Sequence, residues 1–225
     1  MLYILDTADL NAIKYCNEFY PLWGVTTNPS IIAKENTDFW RLTEEIRSVI
    51  GDQKSLFVQT VQSEASKIVE EAMLLKKRLG ENFYVKIPIG EEGLKATMEL
   101  KKIGIGVLMT AIFTPAQALI AAKAGANFVA PYVNRLDNIA GDGVAVVAEI
   151  VNQFEKFDLP CKVLAASFKN TEQVHKCAQA GCHSVTVSAD IMKLLISHPM
   201  TDAAIEGFRK DWKSIYGDKF WTFRL

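Results

Sequence analysis

Short apolar runs recur along the chain at fairly even spacing, and each is followed by a longer stretch with helical periodicity. The runs are nearly continuous in hydrophobicity and rich in Val, Ile, Leu or Phe, which is typical of strands that are covered on both faces. The predicted strands are Leu2–Leu5, Leu22–Val25, Leu56–Val61, Phe83–Ile87, Gly106–Ile112, Asn127–Val133, Lys162–Ala166 and Ser184–Val187.

The segments between the runs are predicted to form amphipathic helices. In Ala65–Leu79, the apolar residues Ile68, Ala72 and Leu75 share one stripe, while the charged residues lie largely elsewhere. The same pattern predicts helices over Glu92–Ile103, Pro115–Ala124, Val144–Phe157 and Thr171–Ala180.

Start and stop signals bound several of these helices. Pro115 after Thr114 and Glu172 after Thr171 are typical of helix starts. Gly125, which follows a helical stretch and precedes the next apolar run, is typical of a helix stop. The chain therefore alternates strand and helix from end to end.

Eight strand–helix units in 225 residues are typical of a (β/α)8 TIM barrel, an α/β fold. The doubly wound parallel sheet is the structural alternative, but it needs fewer strands and usually a glycine-rich phosphate loop after the first, which this sequence lacks. No linker divides the chain, so residues 1–225 are predicted to form one barrel domain. An additional C-terminal helix is predicted at about Thr201–Tyr216, and the aromatic tail Phe220–Phe223 is expected to pack on a neighbouring subunit or on its own barrel.

Composition narrows the class of protein further. Apolar residues make up 49% and charged residues 23% of the chain, its net charge is −1 and its pI is near 6.3. That balance indicates no nucleic-acid or membrane partner, and so much apolar material can form a core without disulfides or metal. No apolar stretch is long enough to span a bilayer and the N-terminus lacks the pattern of a signal peptide, so we expect a cytoplasmic protein.

The four cysteines, Cys16, Cys161, Cys177 and Cys182, include no C-x-x-C pair. His183 follows Cys182 and His175 is close by, but their spacing matches no standard metal site. We therefore expect reduced, largely structural thiols and no bound metal.

A barrel places its catalytic groups at the carboxyl ends of its strands, so polar residues there carry the functional information. In strand order these residues are Asp6; Thr26, Thr27 and Asn28; Gln59 and Thr60; Lys86; Thr110; Tyr132, Asn134 and Arg135; Ser167 and Lys169; and Thr186, Ser188 and Asp190.

Lys86 is the most unusual of them, because the alternation in Phe83–Pro88 predicts that its side chain points into the barrel. A lysine is rarely buried without a partner, and desolvation favours the neutral amine, the form that attacks a carbonyl. The alternative is a structural lysine that extends its charge to solvent or pairs with Asp6.

The neighbouring polar residues suggest complementary roles. Tyr132 is a candidate acid/base, or an aromatic side chain that only fills the barrel. Thr26 and Asn28 either bind substrate hydroxyls or only shape the turn at Pro29. Three residues that follow adjacent strands could together bind a phosphate monoester: Arg135, Ser167 and Lys169. We call this set the phosphate cradle.

Four ordered blocks resemble the transaldolase family. Gly24–Ser30 (GVTTNPS) resembles the signature near its N-terminus, and Val85–Pro88 (VKIP) resembles the segment with its Schiff-base lysine. Ala130–Arg135 (APYVNR) and Ala165–Lys169 (AASFK) match two further blocks. The resemblance extends from Asp6 to at least Pro199.

This resemblance implies a TIM barrel, a class I aldolase mechanism and no cofactor beyond a covalent imine at Lys86. It implies that Asp6 and Asn28 contact the dihydroxyacetone moiety and that Arg135 and Ser167 hold the phosphate. Lys169 stands where larger transaldolases have an arginine. At this position the phosphate cradle departs from the family's pattern.

Two positions distinguish the branches of the family. Transaldolases resemble one another in a glutamate near position 59 and a phenylalanine near position 132, whereas Gln59 and Tyr132 are the pairing of the small fructose-6-phosphate aldolases. In that pairing Tyr132 would move the proton, while Gln59 and Thr110 would fix the catalytic water. The small enzymes resemble one another in forming pentamers that pair into decamers, which implies a homo-oligomer.

The sequence thus predicts reversible cleavage of fructose 6-phosphate to dihydroxyacetone and glyceraldehyde 3-phosphate. The first alternative is a transaldolase that transfers dihydroxyacetone to erythrose 4-phosphate, as in the pentose phosphate pathway. The second is a non-catalytic sugar-phosphate-binding barrel, which would need no lysine at position 86.

Overall fold

The computed structural model describes residues 1–218, in which eight parallel strands form a closed barrel in chain order. The strands are β1 Leu2–Asp6, β2 Leu22–Thr26, β3 Ser55–Gln59, β4 Phe83–Pro88, β5 Gly106–Ile112, β6 Phe128–Pro131, β7 Lys162–Ala165 and β8 Ser184–Val187. β8 pairs with β1 and closes the ring. The predicted TIM barrel is confirmed.

Helices alternate with and follow the strands along the chain. They are α1 Leu10–Phe19, α2 Pro29–Lys34, α3 Phe39–Ile50, α4 Ala65–Leu79, α5 Glu91–Lys102, α6 Pro115–Ala124, α7 Val133–Asp137, α8 Gly143–Lys156, α9 Thr171–Gln179, α10 Ala189–Leu194 and α11 Pro199–Tyr216. The stripe predicted on α4 is buried, with Ile68, Ala72, Leu75 and Leu79 at most 3% exposed.

Aromatic side chains fill the amino-terminal half of the barrel interior. The Phe57 and Tyr84 rings stack with centroids 4.8 Å apart, and Phe128 meets Tyr84 edge-on at 5.3 Å. Trp23 packs against all three rings. Because successive inward residues form layers along a barrel, this aromatic layer leaves the carboxyl ends of the strands for polar side chains.

Local sequence explains where the elements begin and end. Thr114 and Gln117 form a capping box at the start of α6, and Gly125 ends that helix in the left-handed conformation with φ +107°. At the start of α8, a side chain at Gly143 would come within 2.4 Å of the Val133 carbonyl oxygen, so only glycine fits there.

The predicted end of β6 and the predicted cap of α9 are wrong. β6 is shorter than Asn127–Val133, because the chain turns after Pro131 and Val133 begins α7 instead. Val133 is buried in this helix. Its apolar side chain therefore extends the apolar run from which the strand is predicted. Asn170, rather than Thr171, caps α9, since its side chain accepts the Gln173 N–H.

By its internal contacts the chain divides into a unit Met1–Met192, which holds the barrel, and a unit that begins at Lys193. The second unit contains α11, which confirms the additional helix and begins at Pro199, just before the predicted Thr201. No residue of α11, all of which is described, is buried. The aromatic tail at residues 220–223 lies outside the described residues. Within residues 1–218, no helix has the length and apolarity needed to span a bilayer.

Candidate active site

Lys86 lies on β4 inside the barrel and is only 4% exposed. Its Nζ donates to the backbone carbonyl of Thr27 at 3.3 Å. Among residues 1–218 it forms no ion pair, so the alternative in which Asp6 pairs with this lysine is wrong. The structure therefore places a buried amine on β4 with a backbone carbonyl as its hydrogen-bond partner.

Asp6 instead lies at the end of a hydrogen-bonded chain formed by two threonine hydroxyls, from β2 and β8. Thr26 Oγ1 donates to Asp6 Oδ1 at 2.8 Å, and the Thr26 and Thr186 oxygens are 2.6 Å apart. Since the Thr26 proton goes to the carboxylate, Thr186 must donate to Thr26. These hydrogen bonds fix one oxygen of Asp6 at the end of β1.

Thr110 and Tyr132 form the second polar pair of the site, with their hydroxyl oxygens 2.9 Å apart. A register shift between β5 and β6 spans Met109 to Ile112, and Ala111 within it has φ +58°. This left-handed residue marks a bulge in β5, a device that redirects a neighbouring side chain.

Tyr132 also links the pair to the phosphate cradle. The Arg135 guanidinium lies 4.6 Å from the centre of the Tyr132 ring, a cation–π contact, and Phe113 packs against the ring edge-on at 5.5 Å. Tyr132 itself forms a single bridge to Ala166. The ring is therefore held by contacts on several sides.

The phosphate cradle spans two segments that a backbone hydrogen bond joins. Arg135 lies on α7, and the Asn134 N–H donates to the Ser167 carbonyl at 2.8 Å. Ser167 has φ +64°, which is unusual for a residue other than glycine. Arg135 and Lys169 are exposed and form no ion pair within residues 1–218, so their charges remain available to an anion.

Gln59 is the partner of Lys86 in the β3–β4 ladder, so the two side chains emerge on the same face. The next residue, Thr60, was expected to be on the same strand, but β3 ends at Gln59. The Thr60 hydroxyl donates to Glu71 of α4, which therefore holds the loop after the strand. Thr60 belongs to this support and not to the polar set at the strand ends.

Asn28 and Ser188 have clear local roles. The Asn28 side chain caps α2 by accepting the Ile31 N–H at 3.0 Å, and Ser188 accepts the Ile191 N–H at 3.3 Å. Capping uses the side-chain oxygen, and within residues 1–218 the Asn28 amide nitrogen has no hydrogen-bond partner. The turn-shaping interpretation of Asn28 is thus correct, and it is compatible with a contact to a substrate hydroxyl.

Sequence reasoning missed two supporting residues, Glu71 and Gln173. Gln173 is three residues after the cap residue Asn170, which is the capping-box position, and that spacing was the available signal. Glu71 lies on the polar side of α4 and gave no such signal. Among the described residues, no group of His, Cys, Asp and Glu side chains is arranged to hold a metal ion.

A sequence profile described as Transaldolase/Fructose-6-phosphate aldolase matches residues 3–219, nearly the whole chain. The chain belongs to this family. The members of the family are aldolases and transaldolases. The profile match confirms the resemblance inferred from the four blocks.

The barrel of this family member is also similar to solved structures of other proteins. The native KDPGal structure matches with TM-score 0.58 and 17% identity, over 84% of this chain and 82% of that chain. A designed cube-shaped, highly porous protein cage matches with TM-score 0.59 and 16% identity, over 96% and 77%. A flavocytochrome b2 mutant with benzoylformate matches with TM-score 0.63 and 15% identity, over 84% and 57%. At these identities the likeness concerns the fold alone.

Proposed function

We propose that the protein is a class I aldolase that reversibly cleaves fructose 6-phosphate to dihydroxyacetone and glyceraldehyde 3-phosphate. The observation that carries this proposal is the position of Lys86, a buried amine that donates to a backbone carbonyl at the carboxyl end of the barrel. Family membership supports the reaction type. The chemistry needs no metal or organic cofactor, because the imine itself provides the electron sink.

In the proposed reaction the Lys86 amine attacks the C2 carbonyl, and the resulting carbinolamine loses water to give an iminium ion. The C4 hydroxyl then loses its proton while the electron pair of the C3–C4 bond moves to the iminium, which becomes an enamine. Glyceraldehyde 3-phosphate departs. Protonation of the enamine at C3 and hydrolysis of the new iminium release dihydroxyacetone and restore the lysine.

Tyr132 is proposed to handle the proton, directly or through a water molecule. The hydrogen bond of its hydroxyl to Thr110 supports this role, since Thr110 fixes the direction in which the phenol points. Gln59, beside Lys86 in the ladder, is proposed to bind the same water. Asp6, Thr26 and Asn28 are proposed to bind the dihydroxyacetone hydroxyls.

The phosphate cradle is proposed to bind the far end of the substrate. Arg135 and Ser167 supply charge and hydrogen bonds away from the reacting carbons, and Lys169 adds a second positive charge. Binding energy obtained there can position the C3–C4 bond over Lys86.

The experiment that tests the reaction is product analysis with fructose 6-phosphate alone. We expect free dihydroxyacetone, and borohydride added with dihydroxyacetone should trap a covalent adduct on Lys86. A Lys86→Met protein that turns over at the wild-type rate would contradict the mechanism.

A transaldolase is the second candidate, because the imine chemistry is common to both enzymes. It would release dihydroxyacetone only when erythrose 4-phosphate accepts it, so the same assay with and without this aldehyde separates the two. Tyr132 and Gln59 favour the aldolase. A non-catalytic sugar-phosphate-binding barrel would bind fructose 6-phosphate and give no borohydride adduct.

The assembly and location of the protein are also proposals. The exposed apolar residues of α11, among them Phe208 and Ile215, support a homo-oligomer in which this helix contacts a second copy. A pentamer or decamer is expected by resemblance, and analytical ultracentrifugation would measure it. A cytoplasmic location follows from the sugar-phosphate substrate.

A further inference from the structure

Gln173, on the first turn of α9, uses its whole side-chain amide to join two segments of the candidate site. Its Nε2 donates to Asn134 Oδ1 at 3.2 Å and to Asp137 Oδ2 at 2.7 Å, both on α7. Its Oε1 accepts the Lys169 N–H at 2.8 Å, on the loop after β7. Because α7 carries Arg135, this one side chain spans the two segments that form the phosphate cradle.

The segments that Gln173 joins need such support. Ser167 is held in the left-handed region, a conformation that persists only where surrounding contacts determine it. α7 is a helix of five residues, which is too short to be stable by itself. Asp137 continues the network, since its Oδ1 accepts the Gly143 N–H at 2.9 Å and ties α7 to the start of α8.

We propose that Gln173 is a positioning residue for the substrate phosphate. It fixes the distance between Arg135 and Ser167 without touching the reacting carbons. This inference rests on the proposed function, because it takes the phosphate cradle as the binding site. Loss of Gln173 would therefore weaken the binding of phosphorylated substrates and leave imine formation at Lys86 intact.

The test compares two acceptor aldehydes that differ in the phosphate, glyceraldehyde 3-phosphate and glyceraldehyde, with dihydroxyacetone as the donor. Gln173→Leu removes all three side-chain hydrogen bonds at similar volume. Gln173→Glu keeps the acceptor for the Lys169 N–H but places a carboxylate against Asp137. Gln179→Leu, the same substitution at an exposed position of the same helix, is the matched control.

We expect both Gln173 variants to raise KM for glyceraldehyde 3-phosphate about five- to tenfold, the size of effect expected from weakening phosphate binding by one ordinary hydrogen bond. KM for glyceraldehyde and for dihydroxyacetone, and borohydride trapping at Lys86, should stay at wild-type values, and Gln179→Leu should change none of them. If Gln173→Leu does not fold, Gln173→Glu alone carries the comparison.

The outcomes separate the inference from the function on which it rests. Suppose that the wild type is active and that the Gln173 variants keep its ratio of KM for glyceraldehyde 3-phosphate to KM for glyceraldehyde. That result would overturn the positioning role alone. An equal loss of activity with both aldehydes would overturn it too, because a general structural role predicts that result. Wild-type protein without aldol activity or trapping would overturn the proposed function and this inference together.

Discussion

Thr110 and Tyr132 are 22 residues apart in the sequence, and their hydroxyl oxygens lie 2.9 Å from each other at the carboxyl end of the barrel. Tyr84 lies at the opposite end of the same interior, two residues before Lys86 on β4, where its ring stacks on Phe57. The barrel thus contains one tyrosine whose hydroxyl faces the candidate site and another in the aromatic layer beneath it.

Tyr132→Phe tests whether the phenol moves the proton. We expect kcat for release of free dihydroxyacetone to fall by about a hundredfold or more, the usual effect of removing a general acid/base. The imine should still form, so borohydride trapping on Lys86 should persist. The rate of dihydroxyacetone transfer to erythrose 4-phosphate should rise relative to the rate of release of free dihydroxyacetone. Tyr84→Phe is the matched control and should retain wild-type kcat. Unchanged release by Tyr132→Phe would exclude Tyr132 as the proton donor.

Thr110→Val tests the orientation of the phenol separately from its chemistry. Valine keeps the shape of the buried side chain but removes the hydroxyl, so the Tyr132 hydroxyl loses its partner. We expect kcat to fall about tenfold, which is the value of one hydrogen bond. Thr110→Ser keeps the hydroxyl and should recover most of the rate. Equal rates for the valine and serine variants would show that this hydrogen bond has no part in catalysis.

The sequence predicts β5 and β8 to the residue, because glycine or a turn bounds each of these apolar runs. It does not predict the end of β6, since Val133 is buried whether the chain continues as a strand or turns into a helix. Nor does it predict the partner of Asp6. That carboxylate is 20 residues from Thr26, and Thr26 is 160 residues from Thr186, so the choice between these hydroxyls and Lys86 depends on the closed barrel.

Arg47 is a buried cation whose loss should destabilise the fold. It is 8% exposed, and its guanidinium donates to the carbonyl oxygens of Gly51, Lys54 and Asn82 at 2.9, 2.6 and 2.8 Å. Burial lowers the pKa of this guanidinium. We expect Arg47→Met to lower the free energy of unfolding by about 3 kcal/mol, because three carbonyl groups lose a charged donor.

Urea denaturation followed by circular dichroism would measure this change. Arg41→Met is the control on the same helix, because Arg41 is exposed and pairs with Glu45 on the surface. That variant should keep the wild-type midpoint. An Arg47→Met midpoint equal to that of Arg41→Met would contradict the structural role.

The cysteines should be unreactive in the folded protein. All four are buried and form no disulfide within residues 1–218, and burial raises the pKa of Cys161 and of Cys177 to about 12. At pH 8 only about one thiol in ten thousand would then be the reactive thiolate at these two positions. We expect little reaction with iodoacetamide until guanidinium is added, when all four thiols should be alkylated. Rapid modification of Cys161 or Cys177 in native protein, located by mass spectrometry, would contradict this.

His183 should make the fold sensitive to acid. Its Nδ1 accepts the Val163 N–H at 3.2 Å, which requires an unprotonated nitrogen, and burial together with Lys162 lowers the pKa of the imidazole below its ordinary value of 6.5. The unfolded chain therefore binds a proton at a higher pH than the folded chain does. Stability should fall as the pH drops through about 6.5 and level off below the pKa of the folded state.

His183→Asn isolates this contribution, because the asparagine oxygen can accept the Val163 N–H and does not titrate. We expect its urea midpoint to fall less between pH 7.5 and pH 5 than the wild-type midpoint does. His175→Asn is the control, since His175 is exposed on α9, and it should keep the wild-type dependence on pH. If His183→Asn loses as much stability in acid as the wild type, other groups produce the sensitivity and His183 is protonated without cost to the fold.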